Sequence, residues 1–218
     1  MIKAIFFDLD GVLADMCDNH YQSLNRALKE VCGYEISYDE HVVFYNGIST
    51  NAKLKILENR GLIDEKDWKR IWELKQKYTF EYIDNLKPDK VKIELCHNLM
   101  LGGYVLACVS NSIRESIEKM LTRLDIREYF RYIFANEDFG EKHKPDPYPY
   151  LLAMEKTGFT KDEVLIVEDS PKGILSGQRS GARVWEVRDQ NDVSLVGVTN
   201  KLFELEPWLM NTCFEDIE

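Results

Sequence analysis

Near the start of the chain, MIKAIFFDLDGVLAD sets two aspartates, Asp8 and Asp10, one residue apart where an apolar run meets a glycine. Two close carboxylates repel, and burial at a strand end raises the cost unless a cation or a shared proton compensates. The pair therefore points to a metal ion, to proton transfer or to a plain turn. A second acidic pair, Glu168 and Asp169, closes VLIVED. Between the pairs lie VSNS, with Ser110 and Asn111, and EKHKPDP, with Lys144. A hydroxyl and the backbone N–H groups at a helix start bind phosphate oxygens, and a lysine adds positive charge. Magnesium prefers hard oxygen ligands and leaves coordination positions for water and phosphate, so it would relieve the acidic cluster.

Each piece also has a plainer explanation. Asp-x-Asp-Gly is good turn chemistry. A calcium loop is excluded, because Val12 and Leu13 stand where that loop needs a ligand and a glycine. Ser110 or Ser112 could cap the next helix, and Ser170-Pro171 suits an N-cap and first helical residue. Lys144 could be solvated, and His20 could be a surface or capping residue.

Strand ends are the natural means of gathering these groups. Residues 2–7, 104–110, 132–135, 164–169 and 182–187 read as short apolar strands, and residues 112–124, 147–158 and 170–181 as intervening helices. The alternation predicts an α/β fold, a doubly wound parallel sheet with helices on both faces. Ligands bind such sheets beyond the carboxyl ends of the strands, where both acidic pairs and Ser110-Asn111 stand. From about 15 to 86 the character changes to helical spacing with many charges and aromatics, and Leu86-Lys87-Pro88-Asp89 reads as a joint. Trp68, Trp72 and Tyr78 recur at helical spacing and read as core. Residues 200–218 read as a terminal helix or a packed tail.

The 218 residues allow one sizeable domain, or one with a smaller insertion. A formal net charge of −10 gives no global pull on nucleic acid or anionic membrane. The apolar run at residues 4–7 stops at Asp8, too short for a signal peptide, and no stretch approaches the roughly 20 apolar residues of a membrane helix. The five cysteines, Cys17, Cys32, Cys96, Cys108 and Cys213, are scattered without a CxxC and fit free thiols in a reducing cytoplasm. The expectation is a cytoplasmic monomer with no nucleic-acid or membrane partner.

DLDGVL, VSNS, the lysine of KHKPDP and EDSPKG occur in that order, each after an expected strand or in the expected loop. With them the chain resembles the haloacid dehalogenase superfamily, in particular its β-phosphoglucomutase-like and phosphatase branch. The resemblance implies a Rossmann-like catalytic core over 1–14 and 87–218 with an inserted helical cap over 15–86. It implies Asp8 as the nucleophile that forms an aspartyl-phosphate, and Asp10 as the acid for the leaving oxygen and then the base for water. Ser110 and the backbone of Asn111 would hold phosphoryl oxygens, and Lys144 would neutralise charge. Asp8, the carbonyl of Asp10, Glu168 and Asp169 would hold Mg2+, which keeps Asp8 ionised while Asp10 keeps its proton.

Within that branch Asp10 favours a phosphate ester, since the dehalogenases and phosphonatases of the superfamily lack an aspartate there. His20, expected on the substrate side, stands where β-phosphoglucomutases carry a histidine. Asn46, Thr50 and Ile113 replace cations of the mutase pattern, and Arg114 comes one residue late. The expectation is a magnesium-dependent phosphatase of a small phosphorylated metabolite such as a sugar phosphate. A phosphosugar mutase is the alternative, with Lys53 or Arg114 then supplying the missing charge, and a non-catalytic binding domain is a third reading.

Overall fold

The computed structural model describes residues 1–209. Strand β1 (Ala4–Phe7) leads into helices α1 (Cys17–Cys32), α2 (Tyr38–Glu40, a single turn), α3 (Thr50–Asn59) and α4 (Trp68–Ile83). The chain continues through α5 (Lys90–Leu101), β2 (Val105–Val109), α6 (Arg114–Arg123), β3 (Phe130–Phe134) and α7 (Tyr148–Thr157), then β4 (Val164–Glu168), α8 (Pro171–Ser180), β5 (Arg183–Glu186) and α9 (Leu195–Leu205). The strands form one sheet in the order β3-β2-β1-β4-β5 with every pair parallel, as the alternation predicts.

Central β1 is buried on both faces, which is why its sequence is a continuous apolar run. Ile5 and Phe7 join one apolar cluster with Leu95 of α5, Ile117 of α6 and Val198 of α9. Ala4 and Phe6 point the other way, into a cluster with Tyr150 and Ala153 of α7. Helix α8 lies close on that second face, where a Cβ at Gly177 would meet Val184 at 2.8 Å and Ile166 at 3.4 Å.

Residues 17–83 have an apolar cluster of their own. Leu24 and Leu28 of α1, Leu54 and Leu57 of α3, and Ile71, Leu74 and Tyr78 of α4 are buried together, with Trp68 and Trp72 packed against them. Two bonds join the loop before α3 to residues that follow sheet strands, one after β2 and one in the first turn of α8. Lys172 Nζ donates to the Asn46 carbonyl at 2.9 Å, and Asn111 Nδ2 donates to the Gly47 carbonyl at 3.0 Å.

Two features differ from the sequence reading. Helix α5 was not foreseen, because Lys90-Val91-Lys92-Ile93-Glu94 alternates polar and apolar residues in the period of a strand. Its N-cap is Asp89, whose carboxylate accepts from the N–H groups of Val91 and Lys92. Helix α6 starts at Arg114, and its N-cap Ile113 makes no side-chain cap bond, so neither Ser110 nor Ser112 caps it. Ser170-Pro171 does open α8 as expected, with Ser170 Oγ accepting from the Gly173 N–H. Cys17, Cys32, Cys96 and Cys108 are unpaired thiols. Cys213 and residues 210–218 of the expected tail lie outside the described residues; α9 precedes them. No helix among the described residues is long and apolar enough to cross a membrane.

Candidate active site

Strand ends bring the sequence-predicted residues together. Asp8 follows β1, Ser110 follows β2, Glu168 ends β4, and Lys144 reaches in from the loop between β3 and α7. Lys144 Nζ donates to Asp8 Oδ1 at 2.6 Å, to Glu168 Oε1 at 2.6 Å and to the Val109 carbonyl at 2.7 Å. Burial works against this ammonium, but Asp8 and Glu168 outweigh it and hold its pKa above the ordinary value. Tyr150 donates its hydroxyl to Glu168 Oε1 at 2.7 Å, and Lys144 Nζ sits 4.8 Å from the centre of its ring. The sequence reading missed Tyr150, because a tyrosine in an apolar helix looks like ordinary core. Asn111 is a clip: its Oδ1 accepts from the Lys144 N–H at 3.2 Å while its Nδ2 holds the Gly47 carbonyl.

The carboxylates fit a hard cation. Asp8, Glu168 and Asp169 each offer an oxygen, and the three lie within 4.8 Å of one another. Asp169 Oδ1 is buried without a hydrogen-bond partner. Burial, then the neighbouring Glu168 charge, pushes the Asp169 pKa up to about 7. Burial also drives Asp8 well above the ordinary carboxylate range, with Lys144 opposing and Glu168 and Asp169 adding to it. Such a cluster stays ionised only against an added positive charge. Two glycines make room for it. Gly11 has φ +87°, and a Cβ there would meet Asp169 Oδ2 at 2.0 Å. A Cβ on Gly173 would meet Glu168 Oε1 at 2.0 Å.

Asp10 has different neighbours. His20 Nε2 lies 3.1 Å from Asp10 Oδ1, and Ser112 donates its hydroxyl to Asp10 Oδ2 at 3.2 Å. Lys75 Nζ approaches His20 Nδ1 at 3.5 Å; an ammonium can only donate there, so Nε2 carries the ring proton and donates to Asp10. Burial is the main cause of a lowered His20 pKa, so the ring is neutral. For Asp10 burial works upward, but His20, Lys75 and Ser112 outweigh it and hold the carboxyl below its usual value. With these partners the Asp10 carboxyl favours its ionised form. The plain reading of His20 as a surface residue is overturned.

The helical segment contributes more charge than its sequence suggests. Asn46, Thr50 and Ile113 line the cavity above Asp8, as their alignment with the mutase pattern implies, but so do Lys53 of α3 and Lys75 of α4. Arg114 is instead tied to Asp138 at 2.5 Å. The cavity is therefore not short of cations: Lys53 is the lysine that the mutase alternative names, whereas Lys75 was illegible because a charged residue on an amphipathic helix ordinarily faces water. Trp72 also reaches the cavity, besides packing against the helical cluster.

The family of haloacid dehalogenase-like hydrolases matches residues 5–187 of the chain. A phosphoglycolate phosphatase from Aquifex aeolicus is 32% identical over 186 residues, covering 84% of this chain and 83% of that protein. The pyrophosphatase PpaX of Oceanobacillus iheyensis is 26% identical over 196 residues, covering 87% of each. Among solved structures, a β-phosphoglucomutase from Clostridium difficile superposes with a TM-score of 0.80 at 21% identity, covering 96% of this chain and 100% of that one.

Proposed function

The chain belongs to the haloacid dehalogenase-like hydrolases, and from that premise we propose that it is a magnesium-dependent phosphatase of a small phosphorylated metabolite. The observation that carries this is Lys144 held between Asp8 and Glu168, with Asp169 alongside and Asp10 across the cavity. We read residues 1–14 and 87–218 as the catalytic core and 15–86 as a cap over it. The net charge of −10 and the unpaired thiols among the described residues support a cytoplasmic protein without nucleic-acid or membrane partners, which we take to act as a monomer.

In the reaction Asp8 attacks phosphorus, and the bond to the leaving oxygen breaks as the bond to Asp8 forms. Ser110, the backbone of Asn111 and Lys144 hold the phosphoryl oxygens. Asp8, Asp169, Glu168 and the carbonyl of Asp10 are the groups that would hold Mg2+, which would supply charge neutralisation and keep Asp8 ionised. Asp10 gains its proton as the phosphoryl anion arrives beside it, because a like charge raises a carboxyl pKa. It gives that proton to the leaving oxygen. Asp10 then takes a proton from water, whose attack on the aspartyl-phosphate releases inorganic phosphate and regenerates Asp8. His20 and Ser112 orient Asp10 through both steps.

The test is phosphate release from a panel of small phosphate esters and anhydrides with Mg2+. Asp8→Asn is expected to reduce turnover by at least about 10⁴-fold with the fold intact, since little of the acceleration survives loss of the nucleophile. Turnover of that variant within about tenfold of the parent overturns the assignment. A mutase reading draws support from the two cavity lysines. It prevails if primed conversion of β-glucose 1-phosphate to glucose 6-phosphate far outpaces phosphate release.

A further inference from the structure

We infer that Tyr150 is a positioning residue for the cation of this site: its hydroxyl holds the Glu168 carboxylate in the orientation that leaves Oε2 to ligate Mg2+. The inference rests on the magnesium-dependent reading above and adds to it a residue outside the motifs and outside the candidate metal ligands.

Glu168 ends β4 fully buried, and three donors share its carboxylate. Oε1 accepts from Lys144 Nζ at 2.6 Å and from the Tyr150 hydroxyl at 2.7 Å. Among the described residues Oε2 accepts only from Ser170 Oγ, at 3.3 Å. Each carboxylate oxygen offers two lone-pair sites, so Oε1 is filled and Oε2 is the oxygen left for a cation.

The three donors differ in what else they do. Lys144 has three N–H bonds, and Asp8, Glu168 and the Val109 carbonyl take all of them. To hold a phosphoryl oxygen as proposed, it must release one. Ser170 Oγ also accepts from the Gly173 N–H as the cap of α8. The Tyr150 hydroxyl has no other hydrogen bond among the described residues. It stands in the first turn of α7, fully buried in the apolar cluster with Phe6, Val109 and Ile166. A ring packed on all sides cannot follow a shifting acceptor, so the hydroxyl fixes where Oε1 lies, whichever bond Lys144 gives up.

Two plainer accounts leave that hydroxyl idle. A residue serving the core alone could be phenylalanine, which fills the same space with no hydroxyl to satisfy. A residue serving Lys144 through its ring, 4.8 Å from Nζ, would need no hydroxyl either. A carboxylate on a metal does need an outer partner that sets its orientation.

The experiment measures Mg2+ binding to the full chain by calorimetry, without substrate, in the parent and in Tyr150→Phe. The variant is expected to bind Mg2+ about 10-fold more weakly or worse, the range for loss of an outer partner of a metal ligand. Its Tm in EDTA should stay within a few degrees of the parent. A fall of more than about 10 °C there assigns the hydroxyl to the fold and overturns the inference. Phosphate release by the variant, from the ester of the panel above that the parent hydrolyses best, should need correspondingly more Mg2+. At saturating Mg2+ it should recover to within about threefold, with KM for the ester unchanged. An unchanged Mg2+ affinity, or a kcat deficit that no Mg2+ concentration relieves, overturns the positioning role and leaves the magnesium-dependent phosphatase standing. A parent that binds no Mg2+ removes both. Mg2+ binding that needs Tyr150, without phosphate release from any ester by the parent, keeps the positioning role and removes the phosphatase.

Discussion

Lys144 and Lys53 are both buried ammonium groups, but among the described residues only the first has hydrogen-bonded carboxylate partners, Lys53 having no more than the more distant charge of Asp10. Lys144 ties three elements together through Asp8, Glu168 and the Val109 carbonyl. Lys53 returns nothing to stability, and this has a measurable sign. Its pKa falls from 10.5 to about 7 in the folded chain, so the unfolded chain holds the proton more tightly. Its burden is full below about pH 7 and fades as the pH rises from there towards 10.5. Lys53→Met is therefore expected to stabilise the ligand-free protein at pH 6 by on the order of 1–3 kcal/mol, about 2–10 °C in Tm. The gain should shrink steadily by pH 9 to 10. Thermal melts across that range check it, and a variant that is less stable at pH 6 shows that Lys53 has an internal partner after all. Asp8, Asp10, Ser110, Lys144, Glu168 and Asp169 could be singled out in the sequence because each follows a strand or sits in the expected loop. Lys53 stands out only under the mutase alternative, and Lys75 and Tyr150 not at all, since their surroundings are created only when α3, α4 and α7 pack against the sheet ends.

Among the elements, the start of α8 does two jobs. Ser170 and Pro171 open the helix as their residue types require, and Lys172 in the same first turn reaches across to the Asn46 carbonyl. That bond and the one from Asn111 to Gly47 hold the loop before α3 against the strand ends. Lys172→Met is expected to leave the helix intact and free one side of the loop. KM should rise about three- to tenfold with a smaller change in kcat, and amide exchange over residues 46–49 should quicken. Unchanged exchange there shows that the loop does not depend on this bond. The strand-and-helix alternation was legible because buried parallel strands are unbroken apolar runs. Helix α5 was not, since its first turns alternate like a strand and only the Asp89 cap betrays it.

At the scale of the molecule, the carboxylates of the candidate metal site come from opposite ends of the sequence and meet only when β1 and β4 pair. A cation bound there engages the folded chain alone and so stabilises it by mass action. EDTA is expected to abolish phosphate release and lower Tm, and Mg2+ to restore both. Full activity in metal-free buffer refutes the assignment.

The position of β1 has a further consequence for how the protein comes into being on a ribosome. The middle strand of the sheet is made first, yet one of its neighbours is about 100 residues away in sequence and the other about 160. Residues 17–83 have an apolar cluster of their own and can condense while the first strand still waits for partners. The unit that shapes the cavity is thus ready before its floor exists. The carboxylates of the proposed site are assembled only as the last third of the chain emerges, so on the proposed mechanism an unfinished nascent chain would have no means of attacking a phosphate.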